Sequence, residues 1–171
     1  HSRGIQKGAI KAIDLASKAL KDSLNQARQM AGVDISKAYI TLSGDYVKGE
    51  NITEQVKLQE NCEIGEKEMH RIMRQTDFKA RHEIIPNNYE LVQILPHSFK
   101  IDDERFVNNP LGMIGSQLEV SARVIYAHRA DLANLKKVVQ SAGVEVAGIA
   151  LNAYVGAFAV LDDAEKRRGV C

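Results

Sequence analysis

The sequence predicts a chain of mixed α+β and α/β class, with strand–helix units at both ends feeding a mainly parallel sheet and a strand-helix-strand-strand unit inserted between them. Two observations predict this. Near each end, apolar residues at helical spacing are paired with strand-like runs, Lys37–Gly44 and Val146–Leu151. The middle, from about residue 45 to 127, has a different character and ends in a run that alternates strictly, with Leu118, Val120, Ala122, Val124 and Tyr126 on one side and Glu119, Ser121 and Arg123 on the other.

Ser2-Arg3-Gly4-Ile5 reads as the end of a strand or loop, and Gly8 precedes a long helical pattern. Ile10, Ile13, Leu20, Leu24, Ala27 and Ala31 share that helix's apolar face, and Gly32 supplies the left-handed residue at which it stops. Lys37–Gly44 is rich in β-branched and aromatic residues and ends at a turn glycine. A more polar strand is expected over Thr53–Leu58. A short helix over Glu66–Thr76 should follow, with Gly65 as its N-cap and Met69, Ile72 and Met73 turned inward.

Ile85-Pro86-Asn87-Asn88 breaks the chain, since proline disfavours helix in the residue before it. Tyr89–Ile101 resumes as a strand, and Pro96 within it implies an edge, a bulge or a split. Beyond the alternating strand come a helix over Ala130–Ser141, the strand Val146–Leu151, and a run of small apolar residues from Ala153 to about Leu161 that suits a helix packed closely under a sheet. Asp162-Asp163-Ala164-Glu165 starts another turn. Gly169-Val170-Cys171 reads as the first residues of a strand, so the chain is expected to be a piece of a longer protein.

Charge and cysteine usage narrow the function classes. Lys and Arg number 23 against 22 Asp and Glu, which removes the basic footprint expected of a nucleic-acid binder. Cys62 and Cys171 are too few for a disulfide framework and form no Cys-x-x-Cys pair. No run reaches the ~20 apolar residues of a membrane span, so a soluble chain is expected.

Catalytic motifs are sparse. Neither a G-x-x-x-x-G-K nor a G-x-G-x-x-G phosphate loop is present. His70, His82, His97 and His128 are scattered, Cys62 neighbours acids rather than cations, and Asp102-Asp103-Glu104 reads as a solvated turn rather than a cation site. No catalytic, cofactor-binding or metal residue is assigned. What stands out is the polar connection Lys100–Val120 between two strands, longer than a hairpin needs, because long loops carry function more often than short ones. Asp102, Asp103, Asn109, Pro110 and Met113 are its candidate partner-interface residues, with Pro110, Leu111 and Met113 able to dock and Asp102, Asp103, Asn108 and Asn109 facing water.

Ser2-Arg3-Gly4-Ile5-x-Lys7-Gly8, Leu42-Ser43-Gly44, Ile101-Asp102-Asp103, Asn109-Pro110-Leu111-Gly112-Met113 and Glu165-Lys166-x-x-Gly169-Val170-Cys171 together resemble the bacterial actin-like cell-division family FtsA. The resemblance covers the whole chain in order. It implies a partial actin-like (ribonuclease H-like) subdomain, 1A, made of residues 1–44 and 128–171, with the family's insert, subdomain 1C, as an interaction module over 45–127. The long connection then becomes a loop between the last two strands of that insert.

The resemblance further implies ATP and Mg bound by the full-length protein, FtsZ as a partner through a subdomain absent from this stretch, and an inner-membrane attachment through an absent C-terminal helix. It implies self-association into filaments, and recruitment of late division proteins such as FtsN through the insert. The chain alone is expected to hold no cofactor and not to act as an enzyme. Family members carry Glu-Pro-Leu-Ala-Ser where this chain has Asn152-Ala153-Tyr154-Val155-Gly156, and neutral Asn cannot serve as a base as Glu can. Either ATP turnover is weak or that Glu is structural in relatives. The alternative reading is an actin-fold ATPase partner of another assembly, a pilus protein or a kinase-like enzyme.

Overall fold

The computed structural model describes residues 3–102 and 105–169. In chain order the elements are β1 (Ile5–Gln6), β2 (Ala9–Ile10), α1 (Ile13–Ala31), β3 (Lys37–Leu42), β4 (Val47–Glu63), α2 (Glu66–Lys79), a π-helical turn (Ala80–Ile84), β5 (Tyr89–Ile101), β6 (Arg105–Val107), β7 (Ile114–His128), α3 (Arg129–Ser141), β8 (Glu145–Leu151), α4 (Asn152–Val160) and α5 (Asp163–Arg168). They form two compact units, one built from the residues up to Val47 with those from Ala127 onward, the other from Lys48–Tyr126.

In the first unit, β1 and β2 make an antiparallel hairpin with Ile5 opposite Ile10. Its two turn residues, Lys7 and Gly8, both have positive φ, 48° and 80°, the pattern of a type I′ turn. Ile10 therefore belongs to a strand, which corrects its assignment to the first helix: the turn folds it back before α1 begins. Gly32 ends α1 at φ 67°, its N–H donating to the Arg28 carbonyl at 2.9 Å. β3 and β8 pair in parallel from Lys37↔Glu145 to Leu42↔Leu151, and α1 lies against α3. Leu42, Leu132, Val138 and Val144 are buried in this unit.

One expectation for this unit is overturned. α4 lies against β8 and β3, yet none of its residues is buried, and Phe158 and Val160 are largely exposed. A sheet of two strands offers too little surface to cover an apolar helix. α5 opens on a reciprocal cap, with Asp162 Oδ1 accepting from the Glu165 amide at 2.7 Å and Glu165 Oε2 accepting from the Asp162 amide at 2.9 Å. Val170 and Cys171, read from sequence as the start of a further strand, lie outside the described residues.

The second unit is a sheet in the order β4-β7-β5-β6, with α2 and the π-turn packed on it. β7 alternates as expected, and Leu118, Val120, Ala122 and Val124 are fully buried. One cluster joins Ile72 of α2, with Met69 and Met73 against it, to Val56, Phe99, Ile101, Leu118 and Val120. A second joins Ala80 of the π-turn to Ile52, Ala122, Val124 and Tyr126, with Ile84 and Ile85 against it. α2 thus runs past the expected end at Thr76. The wide turn that follows re-phases the helix so that Ile84 and Ile85 reach the sheet.

Two strands also differ from expectation. β4 covers 17 residues rather than Thr53–Leu58, because it lies beside the long β7 while its outward side chains stay polar. The long connection holds a short strand, β6, whose Phe106 faces Lys100 across the ladder. β6 reaches only Phe99–Ile101 of β5. Pro96 lies beyond that reach and is exposed, a position that tolerates a residue with no N–H to donate.

Candidate interaction site

The connection after β5 is ordered by its own backbone. Asp102 sits in the left-handed region, φ 49°, which Asp tolerates better than most residues. Its Oδ1 accepts from the backbone amides of Ser116 at 2.8 Å and Gln117 at 2.9 Å, while its own amide donates to the Gln117 carbonyl at 3.2 Å. Asp102 is exposed, but its carboxylate is a staple between β5 and β7 rather than a freely solvated charge. Opposite it, Gly115 is buried, and a Cβ there would collide with Ile101 Cγ2.

Residues Asn108–Met113 form the outer turn. Asn109 Oδ1 accepts from the Leu111 amide at 3.1 Å, an Asx turn, and the Met113 amide donates to the Pro110 carbonyl at 3.1 Å. The turn is tied to the end of β4 by two bonds, Ile64 N–H to the Met113 carbonyl at 2.8 Å and Gly112 N–H to the Ile64 carbonyl at 2.9 Å. Pro110 is fully buried and Met113 packs on the insert's core. These two hold the turn in place; the side chains left at its surface are Asn108, Asn109 and Leu111. Asp103 lies outside the described residues.

β4 is the other edge of the sheet, and its midpoint is plugged. Lys79 Nζ donates to the Thr53 carbonyl at 3.0 Å and pairs with Glu54 Oε2 at 3.1 Å, while Glu54 Oε1 accepts from the Gln55 amide at 3.2 Å. Side chains therefore occupy the backbone groups that another strand would use. Sequence reasoning missed this pair, because the partners lie 25 positions apart in the chain and nothing in either residue type announces the contact.

Two of the family-like motifs meet in the first unit. A Cβ at Gly8 would overlap the Ser43 carbonyl, and one at Gly44 would overlap the Lys7 carbonyl, so Lys7-Gly8 and Ser43-Gly44 are glycine-bearing because their backbones touch. Nearby, the His128 amide donates to the Tyr46 carbonyl at 3.0 Å, and His128 Nδ1 meets Asp131 Oδ2 at 3.0 Å. Burial, and then the charge of Asp131, push the Tyr46 phenol above its ordinary range. Asn152 is the exposed first residue of α4. Among the described residues no group of three or more His, Cys, Asp or Glu is placed to hold a metal ion, and no helix is long and apolar enough to cross a membrane.

A two-stranded parallel sheet flanked by helices, interrupted after β3 by a compact four-stranded unit with one helix, defines a partial actin-like fold carrying an insert. Residues 44–126 match the family model for the SHS2 domain inserted in FtsA. The chain is 29% identical to the cell division protein FtsA of Helicobacter pylori strain 26695, over 99% of this chain and 37% of the relative. It is also 29% identical to the FtsA proteins of Pseudomonas aeruginosa and Bacillus subtilis, over 99% of this chain and 40% and 38% of those relatives. The insert is thus similar to the domain inserted in FtsA, and the chain over nearly its whole length is similar to FtsA proteins. It spans about two fifths of the length of these relatives. In three dimensions it is similar to a chain of a PilM–PilN type IV pilus biogenesis complex, with a TM-score of 0.53, 18% identity, and 92% of this chain and 40% of that one covered. That likeness concerns the fold alone.

Proposed function

We propose that this chain is part of a bacterial cell-division adaptor, an actin-like, ATP- and Mg-binding protein that tethers FtsZ filaments to the cytoplasmic face of the inner membrane at the division site. In this reading the ATP site, the FtsZ-binding surface and the membrane helix belong to portions of the protein beyond this stretch. The insert serves late division proteins such as FtsN, and the protein assembles with copies of itself into filaments.

The observation that carries the reading is the Asn109–Met113 turn. It is anchored from below by Pro110 and Met113 and bonded to the end of β4, so it presents Asn109 and Leu111 on a rigid base. A pre-ordered turn loses little entropy when a tail peptide docks. The test is a calorimetric titration of the chain with the cytoplasmic tail peptide of the same organism's FtsN-like protein, alongside sedimentation over a range of concentrations. Saturable binding to a monomer that weakens in Leu111→Ala supports docking through the insert. Absence of binding, with mass growing as concentration rises, would replace the docking role with a polymer contact.

A further inference from the structure

The exposed face of α2 carries a charge pattern that neither the fold nor the Asn109–Met113 turn explains. Arg71, Arg74 and Phe78 stand at helical spacing i, i+3 and i+7, all exposed, Phe78 at 60%. Among the described residues, neither arginine has a carboxylate within ion-pair distance. Their neighbours are already matched: Lys79 with Glu54 at 3.1 Å and Arg81 with Asp77 at 2.8 Å. His82 stacks on Phe78, ring centroids 4.1 Å apart, and its Nδ1 lies 2.7 Å from the Phe78 carbonyl, so the aromatic ring is braced rather than loose.

These side chains form one wall of an open groove of about 550 Å³, with Glu54 and Gln55 of β4 as the other wall and Glu83 beyond Phe78. Glu54 is held by Lys79, so Arg71 and Arg74 face only Glu83 among the remaining carboxylates of the lining, and the groove keeps a net positive charge. We propose that this groove binds an extended acidic peptide segment, in which two carboxylates pair with Arg71 and Arg74 and an apolar side chain covers Phe78.

The spacing sets the peptide's pattern. Arg74 and Phe78 are about 6 Å apart along the helix axis, and Arg71 and Arg74 about 4.5 Å. Alternate residues of an extended chain repeat every ~6.7 Å on one face. Glu-x-Glu-x-Leu therefore presents its three contacting side chains together, with the reach of the arginine side chains absorbing the mismatch. The plug of Lys79 on the Thr53 carbonyl keeps the peptide from simply adding as a fifth strand, so recognition runs through side chains. This site is separate from the Asn109–Met113 turn, and its failure leaves the docking role of that turn untouched.

The test uses the whole 171-residue chain. A fluorescent peptide, Gly-Glu-Ser-Glu-Ser-Leu-Gly, is titrated by anisotropy at low and high NaCl, beside the same peptide with Gln for both Glu. Binding of the acidic peptide alone, weakened by salt, is the expected result. Arg71→Gln/Arg74→Gln should lower affinity about tenfold, on the usual strength of two partly exposed ion pairs, with Arg71→Lys/Arg74→Lys recovering part of it. Phe78→Ala should lower affinity with no change in salt dependence. Equal binding by the double Gln variant at an unchanged melting temperature would overturn the proposal. So would capture by phosphatidylserine–phosphatidylcholine vesicles without peptide binding, which would make the face a lipid surface. Self-association abolished by the double Gln variant, with no peptide bound, would make it a contact between copies.

Discussion

Asp102 Oδ1 accepts a 2.8 Å hydrogen bond from the Ser116 amide, and the same oxygen accepts from Gln117 at 2.9 Å. An acid expected from sequence to be a solvated contact residue is thus part of the junction between β5 and β7. Asp102→Ala should destabilise the insert by about 1–3 kcal/mol, the range for charge-assisted bonds to backbone amides. Asp102→Asn keeps an acceptor and should lose less than half as much. Urea unfolding of both variants measures this, and equal loss would show that the charge, not the acceptor geometry, holds the junction.

Gly115, beside that junction, is required for a different reason. It is buried, and an added methyl would meet Ile101 Cγ2, an atom fixed by the β-branch of a side chain that is itself 2% exposed. Gly115→Ala should cost about 1–3 kcal/mol through overpacking. Pairing it with Ile101→Val, which keeps Cγ2 but shortens the side chain, should recover little, whereas Ile101→Ala removes the colliding atom at the expense of its own cavity. Thermal melts of the three variants decide it; wild-type stability in Gly115→Ala alone would mean the strand shifts to make room.

How much of this was legible in the sequence depends on the range of the interaction. β7 could be read because burial on one face leaves a strict period of two, and α1 because Gly32 marks its end. β4 was read as six residues rather than 17, since an edge strand with polar outward positions hides its length. The hairpin turn at Lys7-Gly8 was hidden by an Ile10 that fits the helical pattern by coincidence. Pro110 and Met113 were legible as residues that could dock, but sequence gave no means to tell docking into the chain's own core from docking into a partner. The Asp102 staple and the Lys79 plug were illegible, because each depends on which backbone atoms the sheet brings within 3 Å.

The plug itself makes a prediction about solubility. Lys79→Ala removes the donor to the Thr53 carbonyl and frees Glu54, leaving the middle of a 17-residue edge strand open. An exposed pair of this kind contributes only about 0.2–1 kcal/mol to stability. Its larger effect should be on association through the edge. Sedimentation velocity should show Lys79→Ala forming dimers or larger species at concentrations where the parent chain is monomeric. A variant that stays monomeric across the same range would mean that β4's own charges are enough to protect the edge.

Tyr126 gives the insert a signature at high pH. Its ring is 5% exposed and packs edge-on against Tyr89 at 5.3 Å, and its hydroxyl donates to Glu50 Oε1 at 2.6 Å. Burial first, and then the bond to Glu50, push the phenol up to about 12. An unfolded tyrosine titrates near 10. The folded chain therefore keeps this proton at a pH where the unfolded chain has released it, so the contribution is fully present below about pH 10 and is lost as pH rises toward about 12. Tyr126→Phe removes the group in both states. Its denaturation midpoint should start lower than the parent's at pH 8 and fall less steeply between pH 10 and 12. Taking the difference between the two chains cancels whatever the groups common to both contribute. Parallel curves would show that the Tyr126 phenol is no harder to ionise in the folded insert than in the unfolded chain.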